Sequence, residues 1–189
     1  GRALQWPKDV SQVNSIVAGE TWDDGVAADL VSRNGETLAL LRRGLTCAVY
    51  QPRDELESSE RLPIWQRLAL SRLMALQAAY ERRMGHEENA WRCACDLLRF
   101  ASLIGANPNT PLDCATGTIA FHLGCTELQC WLGTWSVDEA HLAGLLDQLN
   151  GMGEVEQGHA RAIKREFRWV AEGIEQTRST MTHPWFGPY

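Results

Sequence analysis

No stretch of this chain approaches the roughly 20 consecutive apolar residues that a bilayer-crossing helix needs, so the chain itself is not expected to span a membrane. It also lacks a basic block. Its 18 Lys and Arg face 24 Asp and Glu, for a net charge of −6. The pairs Arg42-Arg43 and Arg82-Arg83 are isolated, and the run from Arg161 to Arg168 is interrupted by Glu166. All three read as solvated helix faces. Binding to nucleic acid or anionic lipid needs clustered cations to neutralise phosphates, so both are disfavoured. A nucleophile elbow, a phosphate-binding loop and an H-E-x-x-H motif are all absent. At the acidic helix starts the E-x-x-H step of a di-iron bundle is missing: Glu88 is followed at the third position by Trp91, and Glu139 by Leu142. Few stretches alternate apolar and polar residues, which removes the parallel sheet on which nucleotide folds are built.

What is present is helical periodicity. The expected class is all-α: an antiparallel helical bundle, or an irregular array resembling tetratricopeptide hairpins, of five to six helices. At 189 residues with a hydrophobic fraction of 44%, one domain with a sizeable core is expected. It divides into an N-terminal arm over 1–22, irregular or a short helix, a helical domain over 23–178 and an aromatic, proline-containing tail over 179–189. A first helix is predicted from Asp23 to Arg43, weakened by Gly25 and Gly35. A loop follows between Pro52 and Pro63. The second helix runs from Pro63 to Met84, with Leu62, Trp65, Ala69, Leu73, Leu76 and Tyr80 as its apolar stripe, and Gly85 stops it. A third spans Glu87 to Ile104, a fourth Pro111 to Leu132. A fifth opens on "SVDE", where Ser136 and Glu139 form a capping box, and ends at Asn150. A sixth is predicted from Glu154 to Arg178 with Ala160, Ile163, Phe167, Val170 and Ile174 on one stripe.

The six cysteines raise the question of metal or disulfide chemistry. In "WRCACDLL", Cys93 and Cys95 lie two apart, and on a helix such residues point about 200° away from each other. They cannot share one zinc, whose cysteine ligands sit on turns. They read as two separate packing positions. On the fourth helix Cys114 and Cys125 share a face but lie about 16 Å apart along it. His122 and Cys125, at three spacing, are the candidate metal ligands. They would need completion by His86 or His141, because zinc takes three or four protein ligands. Disulfides stay open, since connectivity cannot be deduced from sequence, and Cys47 is the candidate to staple the loop to a helix.

The acidic pairs Asp23-Asp24 and Glu87-Glu88 fall at helix starts, where they offset the helix dipole. His141 is expected to border the core. Gly117, Ala120 and Gly124 form a row of small residues that lets another helix approach closely; a ligand groove is the alternative. In the tail "HPWFGPY", Trp185, Phe186 and Tyr189 either fold back on the bundle or dock on a partner.

In "YERRMGHEENAWRCACDLL", Tyr80, Gly85, the step from Glu87 to Ala90, Ala94 and Leu97 resemble a tetratricopeptide hairpin, although the period does not recur elsewhere. More broadly, "NGETLALLRRGLTCAVYQPRD", "LALSRLMALQAAYERRMGHEENAWRCACDLLRFASLIGANPNTPLDCATGTIAFHL" and "SVDEAHLAGLLDQL" resemble a group of uncharacterised bacterial all-helical proteins. The likeness covers residues 24–178. It implies an extracytoplasmic helical domain behind an N-terminal membrane anchor, with a cytoplasmic location as the alternative, and it implies no activity.

The functional expectation is a non-enzymatic helical scaffold or a protein- or peptide-binding module, with no cofactor, no nucleic acid partner and membrane contact only through an anchor outside this chain. The alternative is a small-molecule or metal-dependent enzyme with its site between the third and fourth helices.

Overall fold

The helix expected from Asp23 to Arg43 is broken in two at Asn34, and what Asn34 does explains the break. The computed structural model of the chain describes residues 4–5, 10–17, 20–47, 63–106, 108, 110–133 and 138–150, and 160, 162–164, 167, 168 and 170–175. Its elements are α1 (Val10–Val17), α2 (Asp24–Arg33), α3 (Gly35–Leu45), α4 (Ile64–Arg83), α5 (Glu87–Ala106), α6 (Pro111–Leu132) and α7 (Glu139–Asn150). The described residues between 160 and 175 are helical too, and no described residue is in a strand. Asn34, only 1% exposed, sits between α2 and α3. Its amide nitrogen donates to the carbonyls of Leu30 and Gln5, both at 2.9 Å, and its Oδ1 accepts from the Gln5 N–H at 2.8 Å. Asparagine side chains compete with the helical ladder in this way. Here the competition bends the chain and ties residue 5 to the end of α2.

Helix α4 is the hub. From Ala69 to Ala79 every residue except Arg72 is buried, and α4 packs against α1, α2, α5 and α6. A single apolar stripe therefore understates it. Within the expected stripe Ala69, Leu73 and Leu76 are buried, but Trp65 is 61% exposed, and Leu62 lies outside the described residues. A helix surrounded on several sides need not be amphipathic. Gly85, at φ +75°, ends it: the left-handed residue lets the His86 N–H reach the Glu81 carbonyl at 2.9 Å.

The three-helix centre runs α4 up, α5 down, α6 up. Gly117 and Gly124 of α6 set the α5–α6 distance. A Cβ on Gly117 would lie 3.2 Å from the Gly105 nitrogen and 3.3 Å from the Ala101 oxygen; one on Gly124 would lie 2.7 Å from Leu98 Cδ2. Ala120, between them, is fully buried. Moving seven residues along α6 corresponds to moving back seven along α5, the register of an antiparallel pair. The small-residue row is thus spent on backbone approach. Parallel to it, α4 and α6 are joined by two ion pairs, Arg67 to Asp113 and Arg82 to Glu127. Along each helix the two partners are separated by about 21–22 Å, so the pairs match in register. Asp113 also closes a capping box with Thr110, with Pro111 as first helical residue.

The C-terminal end differs more from expectation than the arm, where a short helix is one of the two readings. In the arm, residues 10–17 form α1, and its Val13 and Ile16 enter a core cluster with Ala27, Leu30 and Leu76. Helix α7 is capped by Asp138, whose Oδ1 accepts from the His141 N–H at 2.9 Å; Ser136 lies outside the described residues. The stripe expected to face the core in the sixth predicted helix faces solvent instead: Ile163 is 63% exposed, Phe167 76%, Val170 44% and Ile174 63%, whereas Ala162 is fully buried. The predicted ends of that helix, 154–159 and 176–178, lie outside the described residues.

Two glycine substitutions separate packing from propensity. Gly117→Ala is expected to destabilise the protein by about 1–2 kcal/mol, because overpacking costs about 1–3 and the helix-propensity gain returns at most about 1. Gly144→Ala in α7, where no atom lies within 4 Å of the new Cβ, is expected to stabilise by up to about 1 kcal/mol. Urea unfolding of both variants checks the opposite signs.

Candidate functional site

Three places gather polar or aromatic side chains in a way that could serve chemistry or binding. The first is a shallow crevice between α3, α4 and α5, lined by Leu38, Leu41, Arg42, Met74, Gln77, Cys93 and Asp96. Arg42 fills it. Its Nη2 donates to Gln77 Oε1 at 2.7 Å and to Cys93 Sγ at 3.1 Å, and its Nε to Asp96 Oδ2 at 3.2 Å. Arg42 was expected on a solvated face, as was Arg82, which instead pairs with Glu127. Arg83 stacks over the Trp22 ring, 4.4 Å from its centroid. Long side chains with apolar stems readily turn inward where a carboxylate waits, a long-range pairing that residue spacing does not reveal.

Chemically the cleft is quiet. Burial pushes the Cys93 thiol up to about 11, against the opposing pull of Arg42. Burial likewise takes Cys95 up to about 12. A thiol acts as nucleophile or metal ligand only as thiolate, and burial disfavours that form at both positions. As the helical spacing requires, the two point apart: Cys93 faces Arg42, and Cys95 packs among Trp91, Leu98, Leu128 and Trp131.

The second place is the junction of α5, α6 and α7. Trp91 and Trp131 lie 4.5 Å apart between ring centroids, and His141 meets the edge of Trp91 at 5.2 Å and Trp131 at 6.0 Å. Two carboxylates hold the imidazole from opposite sides: Asp138 Oδ1 lies 2.6 Å from Nδ1 and Glu88 Oε2 3.0 Å from Nε2. The hydrogen bonds from Asp138 and Glu88 raise the His141 pKa, and the His141 N–H lowers that of Asp138. His141 does border the core, but its role is to clip α7 onto α5. With both nitrogens engaged, no ring atom is left to act as base toward a substrate.

The third place is the outward surface. The charged residues of α6 are Asp113 and Glu127, both buried. Its exposed positions, among them Leu112, Ala115, Thr118, Ile119, His122 and Gln129, carry no formal charge. Leu112 is 60% and Ile119 43% exposed. The hydroxyls of Thr118 and Thr126 donate back to the carbonyls of Cys114 and His122, each at 3.0 Å, which hides their polarity.

The metal candidates do not come together. His122 is exposed and Cys125 is half-buried toward Leu98, Leu128 and Trp131. His86 is engaged by Glu81 at 2.9 Å and His141 by its two carboxylates. Among the described residues no group of three His, Cys, Asp or Glu side chains is arranged to hold a metal ion. Cys47 is an exposed free thiol whose Sγ approaches the Arg43 carbonyl at 3.6 Å, so it staples nothing. Trp185, Phe186 and Tyr189 lie outside the described residues. Compared with known proteins, the chain matches no family model, no curated protein and no solved structure.

The His141 clip has a defined pH window. The histidine's contribution is complete below its ordinary pKa of 6.5 and fades as pH rises through the raised value; that of Asp138 is present above 3.8 and fades as pH falls through its lowered value. The α7 contact is therefore strongest between about pH 4 and 6.5. Histidine NMR titration should place His141 above 6.5, with Glu88→Gln moving it down. Thiol labelling of the native protein is expected to modify Cys47 quickly and Cys93 only at the rate at which the core opens.

Proposed function

We propose that this protein is a non-enzymatic helical scaffold that binds a protein or peptide partner along the outer face of α6. The observation that carries this reading is a 22-residue helix whose charged side chains are both turned inward, leaving Leu112 and Ile119 exposed on a face without formal charge. Solvated helix faces ordinarily carry charge, and a contiguous apolar surface rimmed by polar residues marks interaction sites. The back-bonded threonines strengthen the reading, because a hydroxyl already satisfied within its own helix can be covered at little desolvation cost. A partner helix with an apolar stripe would lie along this face through anchors at three and four spacing.

The absence of an assembled nucleophile, base or ligand set among the described residues favours a binding role over an enzymatic one. Residence outside the cytoplasm, behind a membrane anchor, belongs to the same proposal and rests on the likeness of residues 24–178 to anchored bacterial helical proteins. Among the described residues no helix is long and apolar enough to cross a membrane.

A photo-crosslinking residue in place of Ile119 tests the surface directly. One discrete adduct is expected in cells that make the protein, and none from the same probe at the exposed Arg33 of α2. The additional substitution Leu112→Glu should abolish the adduct while leaving thermal unfolding unchanged. An equal spread of adducts from both positions, or none from Ile119, contradicts the proposal.

A further inference from the structure

Helix α7 is held to the bundle by very little. Among its described residues only His141 and Leu145 are partly covered, and every other one is exposed. Four residues apart, the two share one face of the helix. Leu145 packs on the cluster that holds Trp91, Leu98, Leu128 and Trp131, and that apolar contact is indifferent to pH. The contact through His141 is not. Asp138 Oδ1 lies 2.6 Å from its Nδ1 and Glu88 Oε2 3.0 Å from its Nε2. Both partners are carboxylates, which accept and do not donate. An imidazolium has two N–H donors and satisfies both. A neutral imidazole has one N–H and one lone pair, so one carboxylate must then face a lone pair. Asp138 also accepts the His141 backbone N–H at 2.9 Å. It therefore travels with the ring and keeps the remaining proton on Nδ1, and the lone pair falls at Nε2, toward Glu88 of α5.

We infer that α7 is a flap latched by protonated His141: when the imidazole gives up one proton to water, its bond to α5 is lost and the helix lifts, uncovering the rings of Trp91 and Trp131. Both tryptophans are buried while the flap is closed, with His141 lying against them. The charges that act on the ring come from two helices. On α7 it is Asp138, and on α5 it is Glu88, whose other oxygen takes Arg92 at 3.7 Å. The third helix at the junction, α6, presents the uncharged ring of Trp131, and its Glu127 pairs with Arg82 of α4. Hydrogen bonds to Asp138 and Glu88 raise the His141 pKa, so the latch is complete below the ordinary value of 6.5 and is released as pH rises through the raised one. The flap works with or without a partner on the outer face of α6.

Amide hydrogen exchange of the full chain, followed from roughly pH 5.5 to roughly pH 8.5 across the histidine range, tests the flap. With the intrinsic pH dependence of exchange divided out, protection of the α7 amides should fall as pH rises, by at most about tenfold per pH unit because one proton is released. The amides around Gly105 and Gly117 should not follow that curve. Glu88→Gln supplies a readout that a merely structural contact would not. Its amide accepts from an imidazolium through oxygen and donates to a neutral imidazole through nitrogen, so α7 protection should stay level over the whole range. Glu88→Ala offers neither, and should lower α7 protection at the acid end to the wild-type value at the alkaline end. Glu88 is exposed, so both variants leave the core intact. Protection of α7 that is level with pH in the wild type overturns the inference. So does an unchanged slope in Glu88→Gln, or an α7 that exchanges only together with the core.

Discussion

Everything in the centre of this protein depends on how closely α5 and α6 approach at Gly105 and Gly117. With neither residue carrying a side chain, the two backbones come near enough that a single Cβ would meet main-chain atoms at 3.2–3.3 Å. One turn pair further along, Leu98 fills the space that Gly124 leaves. That fixed distance positions Trp91 against Trp131, and the tryptophan pair in turn forms the wall on which His141 and α7 rest. It also fixes where α6 presents its acids to α4. Close packing transmits such constraints because an interior has little free volume to absorb them.

The buried charges set register more than they add stability. Burial raises the pKa of both Asp96 and Glu127, even though Arg42 and Arg82 stand beside them. Desolvation therefore outweighs the pairing in each case, as is common for ion pairs in low-dielectric surroundings. Their value lies in specification. Arg67 and Arg82, at the two ends of α4, find Asp113 and Glu127, at matching heights on α6, so α6 cannot slide along α4 by a turn without stranding two charges. Arg42 does the same for the short α3, holding it over α5 through Asp96 and Cys93 and over α4 through Gln77. The consequence for function is indirect. Drawing the charges of α6 inward is what leaves its outer face neutral.

Much of this architecture was legible from residue spacing. The ends of α4, α5 and α6 fall within two residues of where proline, glycine and the apolar pattern place them, because those helices carry strong local stop and start signals. The divergence of Cys93 and Cys95, and the use of Gly117, Ala120 and Gly124 for close packing, follow from helical geometry alone. Other features depend on distant partners and left no local trace. At Asn34 the neighbouring Gly35 weakens the helix locally, but the tie to Gln5, twenty-nine residues away, was not legible. The inward turn of Arg42 and Arg82 requires Asp96 and Glu127. The outward seam at Ile163, Phe167, Val170 and Ile174 shows the limit of periodicity: it identifies an apolar face but not whether that face meets its own core or something else.

A rigid α4–α6 centre, fixed at the glycine contact, makes a clear demand on local stability. Native-state hydrogen exchange, resolved residue by residue, measures it. The amides of α5 around Gly105 and of α6 around Gly117 should exchange only through global unfolding, with the highest protection in the molecule, while those of α7 exchange through smaller local openings. Protection around Gly105 and Gly117 no greater than that of α7 would show that the close contact does not hold the centre together.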